Sequence, residues 1–310
     1  MVDIRYFLVT ICAIFLMLGI GIVIGQQFVA PAQIKQQSKV LVALKEQVDG
    51  AVQDGREAKR RLGHAEHAMD ILRSRIVPGK LAGKRVEIIQ CGDYQDASRA
   101  AASALRDAGA TSTTIVVTDK LVALPADDRP ALLAKLNNAA SPGAPAASDT
   151  DSPDVLLADV ISPIMSTLHT GTALSLDAGR MVAKMQDEQY ITVTGDITEP
   201  CSLFVIVGGR VDDGNPAPSE VSDMETALIN GLLNGGADVT VVGCEPLEVG
   251  VSSIPTYHKA EIGTVDCIDQ PLGQLDLPFA LRGGLDKADY GLKSTATREV
   301  PRSLEEQTHP

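Results

Sequence analysis

Residues 6–34 carry no charge, and within them residues 7–24 are apolar apart from Thr10, Gly19 and Gly21. A bilayer core takes about 20 apolar residues at about 1.5 Å rise each, so this run predicts a retained transmembrane anchor over residues 1–30. A cleaved signal peptide is the alternative, with Ala30-Pro31-Ala32 as a loose cleavage site. It fits less well, because the run exceeds the usual apolar length of about 7–15 residues and Asp3 interrupts a basic leader. Lys35, Lys39 and Lys45 on one flank outnumber Arg5 on the other. The margin leans toward a cytoplasmic flank after the span, yet long domains translocate regardless of such counts.

After Pro31 the apolar period becomes seven. Ile34, Leu41, Val48, Gly55, Leu62, Met69 and Ile76 form one row; Gln37, Leu44, Ala51, Ala58, Ala65 and Leu72 form the other. Apolar positions sustained at this spacing among Lys, Arg, Glu and Gln predict a coiled coil over residues 31–78. Its seam is Ile34, Leu41, Leu44, Val48, Leu62, Met69, Leu72 and Ile76. Gly50, Gly55 and Gly63 each cost about 1 kcal/mol relative to Ala, so the seam is a modest one. Tethering at one end makes the expected pair a parallel homodimer. A long amphipathic helix folded against its own domain is the competing reading.

From Lys84 the period shortens. Residues 85–91 read as a strand, Asp96 caps a helix through Ala100, Ala104 and Leu105, and Gly109 stops it. Residues 114–117 return as a strand, completing a βαβ unit whose crossover is right-handed. A second unit follows, with a strand at 203–207, a helix capped by Ser222 and Glu225, and a strand at 239–242. Helices are also expected at 154–169, 174–189 and 271–281, and a strand at 264–268. The expectation is an α/β, Rossmann-like tandem βαβ domain with a parallel sheet over residues 79–293, built of two similar halves. A flexible loop at 139–153 separates them and a polar tail covers 294–310.

Charge sharpens this division. Residues 1–79 carry 10 Lys+Arg against 7 Asp+Glu, whereas residues 80–310 carry 17 against 33. A domain at -16 within a chain at -13 lacks the basic face of a nucleic-acid binder. With no Trp and 3% aromatic residues, base-stacking platforms are missing too.

The sequence contains no Walker A motif, no G-x-S-x-G elbow and no H-E-x-x-H motif. The run Gly208-Gly209-Arg210-Val211-Asp212-Asp213-Gly214 follows a strand but lacks phosphate-loop spacing, and reads as a solvated turn. Nothing supplies a nucleophile, a base or a phosphate cradle, so no enzyme is expected. Cys91 and Cys244 both end predicted strands, and thiolates suit Cu(I), which makes them candidate metal ligands. Buried small hydrophobes are the plainer account of the same cysteines.

The opening Asp3-Ile4-Arg5-Tyr6 and the stretch Leu18-Gly19-Ile20-Gly21-Ile22-Val23-Ile24-Gly25 resemble the start of the MctB/SteB family. Arg85-Val86, Val207-Gly208-Gly209, Thr264-Val265-Asp266 and Tyr290-Gly291-Leu292-Lys293, with Val300-Pro301, extend the likeness over nearly the whole chain. The family goes by the name copper transporter. The resemblance implies an envelope protein of actinobacteria or related Gram-positive lineages, single-pass in the cell membrane, its bulk extracytoplasmic. Members have been linked to copper efflux as a channel and, separately, to septation and cell-wall hydrolase control. Copper is the candidate cofactor or cargo, and a cell-division or cell-wall protein the candidate partner. One helical span encloses no pore, so transport would need several spans or a partner.

Overall fold

The computed structural model describes residues 4–140, 176–197, 201–212, 214, 216–234, 239–283 and 288–301. The predicted helix at 154–169 and most of the loop at 139–153 lie outside the described residues. Two compact units divide the chain at Ala65 and Glu66.

The first unit is the part of α1 (Ile4–Ile76) that precedes Glu66; the helix runs unbroken for 73 residues and passes straight through Pro31. It contains Tyr6–Ile24, 19 residues long and apolar enough to cross a membrane. Phe15 and Met17 there are 70% and 77% exposed, surface that water does not tolerate in such a continuous run. Further along, the predicted seam is uncovered as well. Leu41, Leu44, Val48, Leu62 and Leu72 are 48–64% exposed. The side chain of Ile34 lies outside the described residues. Met69 and Ile76 lie within the second unit, where Met69 is half-buried and Ile76 packs against the core.

The second unit is built on one sheet. β1 (Arg85–Gln90), α2 (Gln95–Asp107) and β2 (Thr111–Val117) form the first βαβ unit. In α2, Ala97, Ala101, Ala104 and Leu105 share the buried face. The helix ends as the sequence predicts. Gly109 takes φ +85°, Ala110 N–H donates to Leu105 O, and Gly109 N–H donates to Arg106 O. Its start differs from expectation, because Asp96 lies inside the first turn, paired with Arg99 at 2.6 Å, and caps nothing.

The chain continues through α3 (Asp119–Val122), α4 (Arg129–Ala140), α5 (Leu176–Asp187) and β3 (Ile191–Thr194). The second βαβ unit is β4 (Leu203–Val207), α6 (Pro218–Asn234) and β5 (Thr240–Cys244). Then come α7 (Ile254–Lys259), β6 (Gly263–Val265), α8 (Pro271–Gly283) and β7 (Asp289–Tyr290). The seven strands lie in the order β3-β2-β1-β4-β5-β6-β7. Every neighbouring pair is parallel except β2–β3.

Adjacent residues of a strand point to opposite faces, so a sheet covered on both sides needs two cores. Ile89 enters the core shared with α4, α5 and α6, while Ile88 enters the one shared with α2 and α8. The stretch after Ser294 is tied to the sheet. Thr297 and Arg298 N–H groups both donate to Asp289 O, and Pro301 is buried.

Candidate functional site

β1 and β4 are neighbours, and the helices that follow them pack on opposite faces. The chain therefore diverges at their carboxyl ends, the place where open α/β sheets bind ligands. The two ends touch. Cys91 and Gly92 N–H groups both donate to Val207 O, at 2.9 and 3.1 Å. A Cβ on Gly92 would overlap the Gly208–Gly209 backbone, and one on Gly208 would overlap Tyr257, Ser253 and Glu225. Gly209 has φ +87°, which turns its N–H onto Ser253 Oγ at 2.9 Å. Contrary to the solvated turn expected, residues 208–210 are buried; only from Val211 does the loop reach solvent.

Behind this edge lies a polar network within apolar packing. Tyr257 Oη donates to Glu225 Oε1 at 2.9 Å, both groups being buried. Burial pushes the Glu225 carboxyl up to about 8, against hydrogen bonds from Ser253 and Tyr257 that favour its charge. The capping box expected from Ser222 and Glu225 is thus absent. α6 begins four residues earlier at Pro218, where Ala217 N–H donates to Glu220 Oε2 at 2.8 Å. The same spacing of Ser and Glu occurs at a buried turn, and only the surrounding core tells the two apart.

One strand over, the wholly buried Glu245 joins three segments. It accepts from Ser252 Oγ at 2.7 Å and from Ser253 N–H at 2.8 Å, and pairs with Lys293. Asp266, just past β6, accepts from the N–H groups of Leu292 and Lys293 at 2.8 and 3.1 Å. Burial raises the Asp266 carboxyl while those bonds lower it. Asp276 on α8 is buried with neither carboxyl oxygen bonded, and burial pushes it up to about 8.

A cleft of about 270 Å³ opens beside β4, lined by Arg210, Ser219, Ser222, Glu225, Ser253 and Thr256 among others. Arg210 stands 3.5 Å from Asp93 and 3.8 Å from Asp119. Sequence reading missed Arg210, Glu245, Asp266 and Lys293 as partners, although each follows a strand end or sits in a stretch that carried the resemblance.

Cys91 and Cys244 reach the same edge of the sheet but are not brought together. Strand β4 stands between them, a separation of two strand steps or about 10 Å. They also point into different cores, Cys91 toward α6 and Cys244 toward α8. On the zinc–thiolate scale of about 2.3 Å per bond, two sulfur ligands of one ion lie within about 5 Å. Both thiols are driven well up by burial. Among the described residues, no group of three or more His, Cys, Asp and Glu is placed to hold a metal.

The chain matches a family model described as "Copper transport outer membrane protein, MctB" over residues 1–301. Copper transporter MctB of Mycobacterium tuberculosis and of Mycobacterium bovis are each 28% identical over 307 residues, covering 94% of this chain and 95% of theirs. The family match takes in the apolar helix, the βαβ units and the stretch that holds Lys293 alike, so the chain belongs to the MctB family.

Proposed function

We propose that this protein is a non-catalytic, membrane-anchored envelope protein acting in copper homeostasis or efflux, its bulk extracytoplasmic. The observation that carries the reading is the family match across residues 1–301, with relatives named copper transporter alongside. The anchor is a single pass through the cell membrane, since Tyr6–Ile24 has the length of one helical span. A barrel would instead need repeated strands of about ten alternating residues. The described strands have two to seven, in a sheet covered by helices. Copper is cargo in this reading, and Cys91 and Cys244 serve separately if they serve it. The strand order and the divergence between β1 and β4 support a Rossmann-like domain of two βαβ halves.

The test is Cu(I) titration of the full chain in detergent against a chromogenic chelator. Stoichiometric retention that falls in Cys91→Ser or Cys244→Ser is the expected outcome. Retention no better than an unrelated membrane protein removes direct copper binding from the reading.

A second reading is favoured by the exposed apolar row on α1. In it the residues of that row pair two copies into a coiled-coil homodimer that serves as an adaptor in septation and cell-wall hydrolase control.

A further inference from the structure

We propose that the cleft beside β4 binds a small organic molecule through a carboxylate held by Arg210. Arg210 is only 6% exposed, yet it lines the cleft, and its Nε faces Asp93 at 3.5 Å without making a hydrogen bond. Its carboxylate neighbours stand 3.5 and 3.8 Å away, whereas a charge-assisted N–H···O bond closes to about 2.7–2.9 Å. The guanidinium is therefore held in place with its donors largely unspent, at a considerable desolvation cost for a buried cation. A planar carboxylate takes two such donors at once, which two loose neighbours on separate nitrogens do not.

The surroundings narrow the ligand. Asp93 and Asp119 already place negative charge beside Arg210, so a dianion such as phosphate is disfavoured and a monocarboxylate fits. The wall offers hydroxyls from Ser219, Ser222, Ser253 and Thr256 for a second polar group, and Val221 and Val251 for a short apolar one. Burial raises the Glu225 carboxyl to about 8, which weakens its repulsion of an anion. About 270 Å³ is below the usual range of drug-sized pockets, about 300–1,000 Å³, and suits one acylated amino acid or the carboxyl end of a peptide.

Saturation-transfer NMR on the full chain in detergent micelles tests this with three probes: N-acetylalanine, its amide, and a short peptide ending in a free alanine carboxylate. The acid binds at least about tenfold more tightly than the amide, and Arg210→Gln removes that preference. Asp119→Asn, at a carboxylate 72% exposed where folding is not at stake, strengthens binding of the acid by freeing Arg210. Binding of the peptide alongside N-acetylalanine identifies chain ends as a source of the carboxylate; binding of N-acetylalanine alone identifies free acids. Equal affinity for acid and amide overturns the proposal. So does affinity unchanged in both variants, or no saturation transfer to either acid.

Discussion

Glu87 shows how strongly position within the sheet governs a single residue. It lies in the middle of β1, 4% exposed, with Oε1 unbonded, and burial raises its carboxyl from 4.5 to about 7. Glu225 and Asp276 are each raised to about 8 by the same cause. In all three the folded state keeps a proton that the unfolded chain releases near pH 4, so stability is full below that point and falls as pH rises. The loss runs from about pH 4 to about pH 8, with a slope of up to about 1.4 kcal/mol per pH unit for each group. Thermal unfolding followed by far-UV circular dichroism checks it, since the chain has no Trp for fluorescence. Glu87→Gln raises the midpoint at pH 8 by the equivalent of about 1–3 kcal/mol and leaves pH 4 nearly unchanged. An identical pH profile in the variant would contradict this account.

At Gly243, in β5, the constraint is steric: a Cβ would overlap the Tyr257 ring. Gly243→Ala is expected to cost about 1–3 kcal/mol, read as a lower unfolding midpoint. The composition of a strand gives no hint of this, because the tyrosine that forbids the methyl group comes from α7.

At the scale of elements, legibility followed how local the cause was. The end of α2 was readable because a left-handed glycine after an apolar helix is a contiguous signal, and Gly109 supplies it. Strands 85–91 and 203–207 were readable because parallel, doubly covered strands are continuous runs of β-branched residues. The start of α6 was not, since Ser222 bonds Thr256 at 2.8 Å and Glu225 bonds Tyr257, partners more than 30 residues away. β3 and β7, with four and two residues, are too short to carry a period. The exposed row on α1 predicts an element-level experiment. Leu41→Asp with Leu44→Asp should convert the full chain in detergent from dimer to monomer in sedimentation equilibrium. Unchanged mass would return the row to a long unpaired helix.

At the scale of the whole molecule, the strap at residues 291–293 ties the segment after β7 to the ends of β5 and β6. Asp266 holds its backbone and Glu245 holds the Lys293 side chain. Because Glu245 is fully buried, Lys293→Ala strands a charge and should cost about 3–5 kcal/mol. Adding Glu245→Ala should recover part of that loss, and the difference between single and double variants measures the coupling. A double variant as unstable as the sum of the singles would show no pairing.

The -16 region, the uncharged N-terminal run and the heptad rows needed nothing beyond the order of residues, because charge, hydropathy and period are properties of neighbours along the chain. Those suffice for a membrane-length helix, an apolar row at sevenfold spacing and a mostly parallel α/β sheet. Which strand lies beside which, and so that Cys91 and Cys244 face different cores while Arg210, Glu225 and Ser253 line one cleft, was decided only in three dimensions. The cause is a sheet covered on both faces, which puts Cys91 and Cys244 into separate cores and folds the segments after β4 and β5 onto one cleft, from Arg210 to Thr256, a juxtaposition no local pattern records.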